Sequence, residues 1–154
     1  MKVLLSMMIS MGSATYHVQY TFKKVEATTT ELKGKIMCPT EQCEFLFTVP
    51  VKSFQSSDSN RDQKMQMTTE ADKYPLASAK GQFHIDELKK DKTIIQAQIE
   101  MHGITKTYPV ILEEQGTKAS FTLDLDAHKI ERPSLFGIKI KNEVPMNFNL
   151  KWSK

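Results

Sequence analysis

The residues in this sequence best suited to chemistry are Arg61 and Asp62, at the centre of a polar stretch running from Lys52 to Pro75. Neighbouring residues do not face one another on a helix, so the two are not expected to pair. Arg61 then needs another acceptor, such as carbonyls at the rim of a barrel. Two roles stay open for it: a clamp that pins the polar segment, or a charged rim group that meets a polar ligand head. The titratable candidates beyond it are His17, His84, His102 and His128. Each falls opposite the apolar residues of its segment or beside a turn, which predicts solvent-facing rings. Asp124 and Asp126 share a strand face and resemble paired carboxylates, but they point away from the apolar residues and should be solvated. There is no Gly-x-Ser-x-Gly elbow, P-loop, dinucleotide fingerprint or His-Glu-x-x-His. No catalytic residue, metal site or cofactor is assigned, and enzyme chemistry is unsupported.

Cys38 and Cys43 stand in the run Cys-Pro-Thr-Glu-Gln-Cys. That spacing suits a disulfide closing a small β-turn loop, which an exported location would permit. Zinc is the weaker reading, because no second Cys or His pair lies at ligand spacing. So short a loop would stabilise by no more than about 2–3 kcal/mol.

The elements that must position these residues are mostly strands. Tyr16, Val18, Tyr20 and Phe22 alternate with polar residues, giving a first strand with one buried face. Leu32–Met37 is a second, with Gly34 as a bulge or close approach. Phe45, Phe47, Val49 and Val51 share a face of the next. Asn60 and Gln63 then fit a capping box that starts a turn or two of helix, which Pro75 ends. Ala77, Ala79, Gly81, Phe83 and Ile85 share another face. Further alternations follow in 95–101, 108–112, 121–125, 136–141 and 144–152. Roughly eight short strands, one helix and no βαβ pattern describe an all-β chain, either a sandwich or a closed antiparallel barrel. Small residues at Ala77, Ala79, Gly81 and Ala97 either pack against bulky partners such as Phe148 or leave a tunnel.

At 154 residues the chain is one domain, and its net charge of +3 is spread over 21 basic and 18 acidic residues. No Lys/Arg-rich run supports nucleic-acid binding. Residues 1–14 differ from the rest: Lys2, an uncharged run through Met11, then Gly12-Ser13-Ala14. This pattern reads as a secretory signal peptide too short to span a bilayer, leaving residues 15–154 as the domain. A first strand or a disordered leader is the other reading.

Four motifs, in order, carry a resemblance: Ser59-Asn60-Arg61-Asp62, Lys73-Tyr74-Pro75, Met101-His102-Gly103-Ile104-Thr105-Lys106, and Glu131 through Ile138. From about Leu32 to Trp152 the chain resembles YceI-like proteins. The resemblance implies a lipocalin-like, eight-stranded antiparallel barrel with one short helix, exported to the bacterial periplasm. It also implies binding of a polyisoprenoid, a quinone or prenyl-phosphate lipid, along an apolar tunnel, without catalysis. The motif turns at Asn60-Arg61-Asp62 and His102-Gly103 become barrel-end architecture. The chain departs from the family at its start, where only Tyr16–Val25 stands for a longer hairpin. It departs again where Ala77 and Ala79 replace bulkier residues after Tyr-Pro. The lining expected on this reading is Phe45, Phe47, Val49, Ala77, Ala79, Phe83, Ile99, Met101, Val110, Phe121, Leu123, Met146 and Phe148. The expected partners are an isoprenoid lipid and, transiently, a membrane surface; a homodimer is one option for the assembly. The rival is a filled barrel serving protein interaction or stress response without lipid.

Overall fold

The computed structural model describes residues 5–19, 23–135 and 138–153. Its strands are β1 (Leu5–Gln19), β2 (Lys24–Thr29), β3 (Lys33–Cys38), β4 (Gln42–Pro50), β5 (Leu76–His84), β6 (Lys92–Met101), β7 (Ile104–Glu113) and β8 (Lys118–Asp124). A short hairpin, β9 (Ser134–Leu135) and β10 (Ile138–Lys139), precedes the last strand, β11 (Glu143–Ser153). One helix, α1 (Ser59–Thr68), interrupts them. All pairings are antiparallel between sequence neighbours until β1, which carries β2 and β3 end to end on one side and β11 on the other. Counting β2 and β3 as one bent strand, eight strands close a barrel, as expected. Closure leaves no long edge to template aggregation.

Alternation builds these strands: β2 and β6 bury every second residue, as a sheet with one solvated face must. The first strand begins earlier than the alternation from Tyr16 indicates. Leu5–Met8 pair with β3 and Met8–Tyr16 with β11, so much of the stretch read as a leader is barrel strand. The first hairpin is accordingly longer than Tyr16–Val25. Tyr20, Phe22, Phe136 and Gly137, also read as strand residues, lie outside the described residues.

The two ends of the barrel are finished differently. At one end the Cys38–Cys43 disulfide closes the β3–β4 turn, with both cysteines fully buried. Phe45, Phe83, Ile95, Ala97, Val110 and Leu112 are buried on the adjoining inward positions. Gly34 admits the aromatic side of this packing, because a Cβ there would fall 1.9 Å from the Phe47 ring.

At the other end α1 lies across the mouth. Its cap is Asp58, in extended backbone, whose carboxylate accepts the Asn60 and Arg61 N–H groups at 3.0 and 3.3 Å. The Asn60–Gln63 capping box is therefore displaced by two residues, because a cap must be non-helical and Asn60 is already inside the helix. Asp62 is buried and accepts the Ser56 N–H at 3.0 Å and the Ser56 hydroxyl at 2.7 Å, which ties the helix to its lead-in loop. Beyond the helix, Glu70 and His102 Nε2 meet at 2.5 Å, and Tyr74 sets its ring edge-on to His102 at 5.1 Å. The β6–β7 turn fits under Tyr74 only because residue 103 is glycine: its φ is +72°, and a Cβ would come 2.6 Å from the Tyr74 ring. The polar stretch and the His102-Gly103 turn thus form one structure at the mouth.

A half-hollow barrel with a cationic mouth

Inward-pointing side chains recur every second residue along each strand, so they form layers across the barrel. Nearest α1 come Val49, Ala77, Met101, Leu123 and Met146; next come Phe47, Ala79, Ile99, Phe121 and Phe148. The inward apolar residues Ala77, Met101, Met146, Phe47, Ala79, Phe121 and Phe148 are only half-buried, although strands surround them. Their free surface faces an apolar cavity of about 170 Å³. Toward the disulfide the corresponding positions are buried, and only a second cavity of about 70 Å³ remains. The barrel is hollow at the helix end and packed at the disulfide end.

Of the expected lining residues, Phe47, Val49, Ala77, Ala79, Ile99, Met101, Phe121, Leu123, Met146 and Phe148 line the larger cavity. Phe45, Phe83 and Val110 line the smaller one. The expected lining contains no residue of the helix. Arg61, Lys64, Met65 and Thr68 follow i, i+3, i+4, i+7 spacing, and that face of α1 covers the cavity. The spacing was present in the sequence, but a stretch this polar gives no apolar stripe to signal it. Ile130 and Ile140, from the loops beside β9 and β10, complete the wall without any periodic signal.

Among the described residues lining the larger cavity, Arg61 and Lys64 are the only charged ones. Arg61 is held 3.8 Å from Asp58 Oδ2, one turn back, rather than by rim carbonyls. That pair is long and solvated, and among the described residues it leaves most of the guanidinium donors without a hydrogen bond. Two cations one helical turn apart, above an apolar hollow, can hold the anionic head of an amphiphile whose tail lies inside.

The histidines do not all face solvent. His17 and His84 are partly exposed beside carboxylates, as expected for surface rings. His102 is mostly covered, and His128 is fully buried. His128 Nδ1 lies 2.9 Å from the Ile104 carbonyl and 3.1 Å from that of Met101, so it carries the proton. Its Nε2 accepts the Tyr108 hydroxyl at 2.8 Å, and the Tyr108 oxygen accepts the Asp124 N–H at 3.2 Å. Burial pushes the imidazole below its usual pKa, against the two carbonyls. The alternation failed here because His128 sits in a tight turn after β8, where strand period no longer decides the side-chain direction. Asp124 is likewise not simply solvated: it accepts from Asn142 at 2.8 Å and from the Ala127 N–H at 3.0 Å, bonds that lower its pKa. Both ring nitrogens of His128 and the Oδ1 oxygen of Asp124 are engaged in hydrogen bonds around the β8 exit and the β6–β7 turn. Among the described residues no group of His, Cys, Asp and Glu is arranged to hold a metal.

A family model described as YceI-like domain matches residues 9–152. The chain belongs to the YceI-like family. Among solved structures, this YceI-like barrel is similar to a polyisoprenoid binding domain from Saccharophagus degradans implicated in plant cell wall breakdown, with a TM-score of 0.67, 13% identity and coverage of 95% of this chain and 96% of that one. It is similar to BcnA of Burkholderia cenocepacia, with a TM-score of 0.68, 15% identity and coverage of 93% and 96%. A YCEI protein from Campylobacter jejuni aligns less fully, with a TM-score of 0.50 and 14% identity over 71% of each chain. At these identities the likeness is one of fold. No curated protein matches the chain. The family match reaches further toward the start than the four motifs do, into the part of β1 that precedes Tyr16.

Ala77 and Ala79 lie on the cavity wall of this YceI-like chain. Ala79 lines both cavities, which makes it a probe of the void. Ala79→Leu should stabilise the barrel by about 1 kcal/mol in urea denaturation, because its added carbons enter empty space. A filled core would instead lose about 1–3 kcal/mol to overpacking.

Proposed function

We propose that this protein binds an isoprenoid lipid of the quinone or prenyl-phosphate type in its barrel interior, for carriage or storage, without catalysing a reaction on it. The observation that carries this reading is the apolar cavity whose only charged lining residues, among those described, are Arg61 and Lys64. The polyisoprenoid binding named for the Saccharophagus degradans neighbour and membership of the YceI-like family support it. The cationic mouth favours the prenyl-phosphate type over a neutral quinone head. The proposed setting is the periplasm, which suits a disulfide. No helix among the described residues is long and apolar enough to cross a membrane. Burying each methylene from water is worth about 0.8 kcal/mol, but a bilayer offers the tail a similar environment. Such a protein therefore exchanges lipid with membranes at little net cost.

Organic extraction of the purified protein, followed by mass spectrometry, should recover a prenyl lipid. In direct titration, farnesyl diphosphate should bind at least about tenfold more tightly than farnesol, and the double variant Arg61→Gln/Lys64→Gln should remove that preference. Equal affinities in the wild type would leave the cations without a role in binding. If no prenyl lipid is recovered and neither probe binds, the filled barrel serving protein interaction is the better reading.

A further inference from the structure

The larger cavity does not run the length of the barrel. Its inner limit is the layer Phe47, Ala79, Ile99, Phe121 and Phe148, residues that also bound the smaller cavity beyond. Three of these five are phenylalanines. Phe121 and Phe148 stack with centroids 6.0 Å apart and planes only 7° from parallel. Phe47 is fixed from behind: its ring lies over Gly34, 5.6 Å from Phe45 and 5.8 Å from Trp152. The hollow on the mouth side spans about four residues of strand from Val51 to Phe47, a depth of about 10 Å at the usual rise and tilt, or about two extended isoprene units. Past the layer, the residues toward the disulfide are packed.

We infer that the Phe47/Phe121/Phe148 layer is a partition that sets the length of chain this barrel accepts, closing the tunnel so that only the head-proximal isoprene units of a prenyl lipid are buried. The inference rests on the prenyl-lipid reading and adds a specificity determinant to it. Phe148 is the part of the partition to remove. It comes from the last strand and faces the cavity with half-buried surface, and among the described residues its ring partner is Phe121, itself a member of the layer. Removing its ring joins the two cavities and lets the chain run on toward Leu112, Ala119 and Trp152.

The test is a titration of geranyl, farnesyl and geranylgeranyl diphosphate against the full chain. Each isoprene unit that finds room should raise affinity on the order of a hundredfold. In the wild type the two units of the geranyl chain already fill the hollow, so the gain should stay below about threefold from geranyl to farnesyl and again from farnesyl to geranylgeranyl. Phe148→Ala should carry the gain through to geranylgeranyl while leaving geranyl affinity within about threefold. Should Phe148→Ala fail to fold, Phe148→Leu opens the same route with less loss of packing and should show the same shift. A wild-type affinity that keeps climbing to geranylgeranyl, or a plateau unmoved in a folded variant, overturns the partition and leaves lipid binding standing. Absence of binding at every length overturns the lipid reading itself, and the partition with it.

Discussion

A chain beginning at Thr15 should fail to fold into a closed barrel. Such a truncation removes every β1 residue that pairs with β3, from Leu5 to Met8, and the greater part of the β1 pairing with β11 up to Ala14. It also removes Ala14, fully buried, and the partly buried Met7 and Ile9 that pack on the core clusters. Two strands would then present open edges, and the loss is on the order of 5 kcal/mol or more, comparable with the whole stability of an ordinary domain. Circular dichroism and urea denaturation of the full chain and of the Thr15 start make the comparison. A cooperative, equally stable truncated protein would show that residues 5–14 are dispensable, as a cleaved leader would be. An unfolded one would place them in the working molecule.

Replacing His128 by alanine should cost about 3–5 kcal/mol near pH 7.5. The substitution leaves the Tyr108 hydroxyl without its acceptor and the Met101 and Ile104 carbonyls without their shared donor, all beneath the surface. The cost should also depend on pH, and the sign follows from burial. The folded imidazole stays neutral because burial disfavours its charged form, whereas the unfolded chain takes up a proton below its ordinary pKa of about 6.5. Its contribution is complete above that pH and is lost as the pH falls through the window below. The wild type therefore weakens on acidification by a process that His128→Ala lacks, and the gap between them should narrow by up to about 2 kcal/mol near pH 5. Denaturation curves at the two pH values measure it. A gap of constant size would mean that His128 is not held neutral in the fold.

Both expectations concern features that a linear reading misses. The strands from β4 to β8 and β11 were legible because alternation is a local signal, and the pleat makes a two-residue period inevitable once one face is buried. The expected wall residues, from Phe47 to Phe148, followed from that same period. The opening strand was obscured because its Met- and Ser-rich run, including Met7, Met8, Ile9 and Ser10, has a composition that fits the apolar centre of a leader as well as a strand. Nothing local says that it will find β3 on one side and β11 on the other. His128 was misplaced because its direction is set by carbonyls of the β6–β7 turn, more than twenty residues away in sequence. Arg61 was recognised as the cation to watch, but Lys64, one turn along the same helix face, was not.

The sequence by itself determined an antiparallel barrel of the YceI-like kind, a polar helical connector and the set of side chains that point inward. Period, capping chemistry and motif order are properties of neighbouring residues, and they survive without coordinates. Only the tertiary structure decided how much of that interior is empty. Whether Ala79 and Phe148 meet or leave a gap depends on strand tilt and register across the barrel. Those place Phe47, Phe121 and Phe148 in one layer and leave about 170 Å³ open beneath Arg61 and Lys64.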